Sequence, residues 1–243
     1  MLYDLTVPAY RNGLKALSGE LSKASAWGTE NGIGELQFAV ARLARDMFPL
    51  ASQVRFTCIQ ALQPLSRLGG IAIPELPEDA TDFAGMQEQI AATLAVLDEI
   101  DHAALGDDME RAVSFDLPNG MIFDLSAADY VRDWAQPQFY FHRVAAYAVL
   151  RHMGVPLRKA DYVAYMMRHP RPGTAPPAGT ATGRPDLRSA RRNSRYLERR
   201  AWSRHYAGSL RSPRQRADNA PAHRVRAGSP RAPHAPTPAL PER

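Results

Sequence analysis

The sequence predicts an all-α fold: an antiparallel four-helix bundle with one small β-hairpin inserted before the last helix, followed by a disordered C-terminal tail. Three observations carry this. Four long segments repeat apolar residues at spacings of three and four, the helical period. One short stretch, AVSFDLPNGMIFDL at 112–125, alternates apolar and polar residues instead. Composition then changes abruptly near residue 168. Residues 1–168 hold 14 Lys and Arg against 21 Asp and Glu, a net charge of −7, whereas residues 169–243 hold 16 against 4, a net charge of +12. Of the 20 prolines, 12 fall in that last segment, which contains no Ile, Phe, Met, Cys or Lys and so has little with which to build a core. The expected organisation is a helical bundle over 1–168 and an Arg/Pro/Ala-rich tail over 169–243.

The first helix is read from Val7, with Tyr10, Leu14, Leu17 and Leu21 on one stripe and Pro8 in its first turn. The Gly-containing break TENGIG at 29–34 ends it, and a short apolar segment from Leu36 to Leu43 follows. A second long helix runs from about Pro49 to Leu68, with Leu50, Val54, Thr57 and Ala61 inward and Gly69-Gly70 as its stop. The two prolines of IAIPELPEDATD make 71–82 extended, and Thr81 or Asp82 can cap the next helix by accepting a backbone N–H. That third helix covers about Phe83 to Ile100, with Phe83, Met86, Ile90, Leu94 and Leu97 inward. Asn119-Gly120 suits the left-handed turn of a hairpin. Ser126 starts the last helix and Gly154 with Pro156 ends it; Pro137 inside it removes one backbone hydrogen bond, so a kink is expected between Ala135 and Phe139.

Several classes are excluded. No apolar run approaches the roughly 18 to 20 residues needed to cross a bilayer. MLYDLTVPAY has an acid at Asp4 and no basic residue before Arg11, the reverse of a signal peptide, and the single Cys58 cannot form an internal disulfide. The expectation is a cytoplasmic protein with no membrane partner. Gly32-Ile33-Gly34 lacks the third glycine and preceding strand of a dinucleotide loop, and GDDMER at 106–111 lacks the acid spacing of a calcium loop.

The runs RLARDMFPLASQV at 42–54, TDFAGMQEQIAATLAVLD at 81–98 and QPQFYFHRVAAYAVLRHMGVPLRKADY at 136–162 are long enough to be specific. On them the body, from residue 1 to about 165, resembles the bacterial domain-of-unknown-function family nineteen-ninety-three, whose members are similar to DinB and YfiT-like helical bundles. The resemblance implies a DinB-like four-helix bundle and supplies a shape without a reaction. It also raises the question of a metal, because DinB-like proteins hold a divalent ion with three histidines, one on the second helix and two at helical spacing later. The body has only His102, His142 and His152, with none on the second long helix and Ala146 where a partner four residues after His142 would stand. His142 and His152 are ten positions apart, roughly 15 Å along a helix, too far to share an ion. No cofactor is therefore expected: a divalent metal lacks a complete ligand set.

His142 is the residue singled out, since it shares a face with Phe139, Ala146, Val149 and Met153 and points toward the interior. It lines a small-ligand pocket with Gln53 and Asp46, as a general base or one member of an incomplete metal site, or it is a core histidine satisfied by a side chain of the second long helix. Asp46, three residues before Pro49, suits a capping role better. Asp129 and Asp133, one turn apart with Arg132 between them, read as a solvated face. Two further readings stay open: an interaction bundle forming a homodimer, with Tyr140 and Tyr147 at the contact, and nucleic-acid binding through the tail. In the tail, Tyr196, Trp202 and Tyr206 could stack on bases while arginines meet phosphates. Because Arg, Pro, Ala and Gly all have GC-rich codons, the tail reads rather as an unintended frame or as sequence beyond a lost stop. The nucleic-acid reading holds only if the tail is genuine.

Overall fold

The computed structural model describes residues 1–171 and Thr174. The chain divides into two units, Met1–Ala190 and Arg191–Arg243, the second wholly outside the described residues. The expected disordered tail and its base-stacking window therefore lie, apart from residues 169–171 and 174, outside what is described.

Helix α1 (Leu2–Asn31) starts earlier than the stripe beginning at Val7 suggests, because Leu2 and Thr6 are as buried as Val7 and Tyr10. Pro8 consequently lies inside the helix, not in its first turn. Gly32 ends α1 in the left-handed conformation at φ 66°. A short α2 (Glu35–Ala39) follows, and α3 (Leu50–Gly69) begins after Pro49 and stops at Gly70, φ 62°. Leu50, Val54, Thr57 and Ala61 are all buried.

Residues 71–82 form no helix or strand, and their path decides the bundle's topology. The segment leaves the C-terminal end of α3 and returns to its start, where Asp79 accepts hydrogen bonds from the Ser52 hydroxyl and, at 2.6 Å, from Arg55 Nε. Helix α4 (Phe83–Asp98) then begins beside α2, with the Phe83 amide donating to Glu35 Oε2 at 3.0 Å and the Asp82 side chain capping Gly85 N at 2.8 Å. Chain ends fix the directions: α4 runs with α3 and against α1, whose Arg11 pairs with Asp98. Phe83, Met86, Ile90 and Leu97 are buried, with Leu94 half-buried.

Strands β1 (Ala112–Asp116) and β2 (Ile122–Ser126) form the expected hairpin, antiparallel with Phe115 opposite Phe123. Gly120 takes φ 84° while Asn119 stays at negative φ, because Gly120 N–H closes a tight turn on Leu117 C=O and glycine alone supplies the left-handed step. The aromatic face of the hairpin packs against the last helix through Phe115 and Trp134, 4.9 Å between centroids, and Arg67 of α3 stacks on Phe115 at 4.1 Å.

The last helix starts at Ser126, whose hydroxyl accepts from Asp129 N, as α5 (Ala127–Asp129). It continues through a π-helical turn, Tyr130–Ala135, into α6 (Gln136–His152). The disturbance expected around Pro137 is this π-turn: Gln136 N–H bonds five residues back to Val131 C=O, widening the helix just before the proline ring would crowd it. Helix α6 packs antiparallel to α3 and beside α1, which closes the four-helix bundle of α1, α3, α4 and α6 around one apolar core. A short α7 (Lys159–Tyr162) lies against α1. No helix among the described residues is long and apolar enough to cross a membrane.

Helices α1 and α6 pack closely at Gly13, where an added Cβ would lie 2.7 Å from Phe139 Cζ, an atom of a ring already held against Tyr10. Gly13→Ala is expected to overpack this crossing and lower unfolding free energy by about 1–3 kcal/mol, read from urea denaturation.

Candidate functional site

Antiparallel packing of α6 on α3 puts the middle of one helix against the first turns of the other, and His142 therefore meets Gln53. His142 Nδ1 and Gln53 Oε1 are 2.9 Å apart in a buried contact. Gln53 Nε2 donates to the Phe48 carbonyl at 3.2 Å, which turns its oxygen toward the ring. An oxygen acceptor at Nδ1 assigns the proton to that nitrogen, so the neutral ring keeps an unprotonated Nε2. That nitrogen has no hydrogen-bond partner among the described residues. Burial pushes the imidazole down to about 4 from its ordinary 6.5 and keeps it neutral. Phe56 and Phe141 wall the ring at 5.1 and 5.2 Å, and Phe48 stands edge-on to Phe56. The ring is 8% exposed, whereas Phe48 and Phe141 are 54% and 59% exposed, so aromatic side chains surround it at the surface.

The structure thus brings together two of the three sequence candidates. Asp46 is exposed in the loop before α3, contacts neither Gln53 nor His142, and does not cap α3, whose N-cap residue Pro49 has no side-chain cap. The capping expectation fails: three residues, Met47, Phe48 and Pro49, separate Asp46 from the first residue of α3, and no side chain caps that helix. Asp129 and Asp133 pair with Arg132 in an exposed cluster, an ordinary solvated face.

Missing from the sequence reading is a buried ion pair. Arg143, next to His142 and about 100° further around α6, meets Glu20 of α1 in a two-pronged contact, 2.7 Å from Nη1 to Oε2 and 2.8 Å from Nη2 to Oε1. Arg143 Nε donates to Gly13 C=O at 3.0 Å, and the Tyr162 ring lies over the guanidinium at 4.3 Å. The two side chains are 1% and 0% exposed. Burial pushes the Glu20 carboxyl above its ordinary value, against the pull of Arg143. A signal was present: Glu20 lies three residues after Leu17, and Arg143 four after Phe139, so opposite charges occupy the apolar stripes of two helices.

The three histidines of the bundle stand apart from one another. His102 is exposed and 3.1 Å from Asp4, His152 is exposed at the end of α6, and His142 has Gln53 as its polar neighbour. Among the described residues no three His, Cys, Asp or Glu side chains group closely enough to hold a metal. A shallow depression of about 370 Å³ lies elsewhere, between Leu76, Pro77, Glu78 and α4.

The family described as Domain of unknown function (DUF1993) matches residues 2–163, which contain the whole bundle and both buried polar pairs. The chain belongs to the DUF1993 family. Its fold is similar to a crystal structure of a DinB family member protein from Shewanella denitrificans, at 30% identity and a TM-score of 0.63 over 72% of this chain and 96% of that one. No curated protein matches the chain. The DUF1993 bundle therefore has the DinB shape, with Gln53 on α3 facing the one histidine of α6 that points inward.

Two outcomes follow from this geometry. Glu20→Ala leaves the Arg143 guanidinium buried and unpaired and is expected to cost about 3–5 kcal/mol, whereas the double change Glu20→Leu with Arg143→Met should recover most of it in urea unfolding. For His142, the unfolded ring gains its proton near 6.5 and the folded ring only near 4. The unfolded state binds more protons in that window, so stability falls as pH drops through it, by at most about 3 kcal/mol. Melting temperatures between pH 7 and pH 4 should fall less steeply in His142→Phe than in the native chain.

Proposed function

We propose that this DUF1993 bundle binds a small ligand at His142, the ligand donating a hydrogen bond to Nε2. The observation that carries the reading is a buried neutral imidazole fixed at Nδ1 by Gln53, whose other nitrogen has no hydrogen-bond partner among the described residues and stands beside Phe48, Phe56 and Phe141. A ring with a pKa near 4 is a weak base at neutral pH, so its role is acceptance of a hydrogen bond, not removal of a proton. The aromatic walls suit an uncharged, flat apolar molecule bearing one O–H or N–H. Phenol is the simplest such probe. Titrated into ¹⁵N-histidine-labelled protein, it is expected to shift His142 Nε2 saturably and leave Nδ1 bonded to Gln53; His142→Phe should abolish binding while the protein stays folded. No Nε2 shift, together with an unchanged or raised melting temperature in His142→Phe, would leave a packed core histidine.

A second reading is a homodimerising bundle without catalysis, favoured by the half-exposed Phe48, Phe141 and Val144. Sedimentation of the same sample separates the two, since a dimer covering these residues makes phenol binding concentration-dependent. The nucleic-acid reading rests on the arginine-rich sequence of residues 169–243 alone.

A further inference from the structure

The outward side of α6 is an uncharged stripe that ends in opposite charges. Pro137, Phe141, Val144 and Ala148 repeat at spacings of three and four, with Tyr140 beside them, so they share one side of the helix. Phe141 and Val144 are 59% and 48% exposed. Phe48 widens this face, because it packs on Phe56, which lies against the same His142 ring as Phe141. Between Asp133 and Arg151 the helix carries one charged residue, Arg143, and that is buried against Glu20. Large exposed apolar side chains with no charge among them mark a surface that gains by being covered.

The two ends of the stripe differ in sign. Asp129, Arg132 and Asp133 form an exposed cluster with one surplus negative charge. Arg151 is exposed at the other end, where its guanidinium donates to the Val155 carbonyl at 2.8 Å and meets no carboxylate among the described residues. Asp133 and Arg151 are 18 positions apart, about five turns, which returns both to the side of the stripe. Such a pattern is complementary to itself when a second copy is turned end for end, whereas two parallel copies would set like charges together.

We infer that a second copy of this chain covers this face, α6 against α6 in antiparallel orientation about a two-fold axis at the level of His142. Asp133 of each copy then stands opposite Arg151 of the other, and Tyr140 stands level with the partner subunit's Val144. The inference rests on the homodimer reading above and goes beyond it by fixing the face, the orientation and the charge pairs; it is independent of any ligand at His142.

Analytical ultracentrifugation of the full chain tests this. The native protein should sediment as a dimer. Arg151→Glu sets two carboxylates face to face at both ends of the contact, and Asp133→Arg sets two guanidiniums there. Each should weaken the dimer on the order of tenfold at low salt, where exposed charges are least screened. An equimolar mixture of the two variants, each carrying a different dye, restores opposite charges at both ends and should recover native association as a mixed pair. Both positions are exposed, so circular dichroism and Tm should match the native chain. If either reversal fails to fold, Phe141→Asp at the axis replaces it, a monomer supporting the pairing and an unchanged dimer overturning it. A native chain that is monomeric at every concentration overturns both the pairing and the homodimer reading. A native dimer indifferent to the reversals, or variants that do not recombine, overturns the pairing alone and moves the dimer contact to another face.

Discussion

Glu20 and Arg143 meet where α1 and α6 cross, and much of the surrounding structure is arranged so that they can. A two-pronged ion pair at 0% and 1% exposure needs close helices, and Gly13 provides the approach by leaving room for Phe139 and offering its carbonyl to Arg143 Nε. It also needs the water kept out, and Tyr162 covers the guanidinium. Burying two charges costs more solvation than their attraction returns unless every hydrogen-bonding group is used. Here the two Nη atoms bond to the carboxylate and Nε to the backbone, so the pair specifies the register of α1 against α6 even where it adds little net stability.

The neighbouring face of α6, the one that meets α3, depends on that register. With α1 and α6 locked together, His142 turns toward α3 and reaches Gln53, and the Gln53 amide is itself oriented by the Phe48 carbonyl. Each partner therefore constrains the next: the backbone turn before α3 orients an amide, the amide chooses the imidazole tautomer, and burial holds the ring neutral. The extended segment at 71–82 supports the same end of α3 from outside, through the bonds of Asp79 to Ser52 and Arg55.

The residues of this DUF1993 member put a glutamine opposite a single inward histidine, with phenylalanines around them. Such a set can recognise a hydrogen-bond donor on an apolar body. Shape and chemistry are separable in such a bundle, the shape coming from apolar stripes and any chemistry from a few polar positions within them.

Local rules determined the elements from sequence. The apolar period marked α3 and α4, Gly70 and Asp82 marked their ends, Asn119-Gly120 marked the hairpin, and the inward face of α6 pointed to His142 and Gln53 as partners. Each depends on residues within a few turns of one another. The start of α1 at Leu2 was decided by burial against other elements, and the disturbance at Pro137 took the form of a π-turn within a continuous helix. Asp46 showed the limit of spacing alone, since its distance along the chain from Pro49 gave no information about the path between them. Above all, the Glu20–Arg143 pair joins residues 123 positions apart. The sequence carries both charges in plain view, but only the tertiary fold brings α1 and α6 into contact, and desolvation between packed helices gives the pair its consequence.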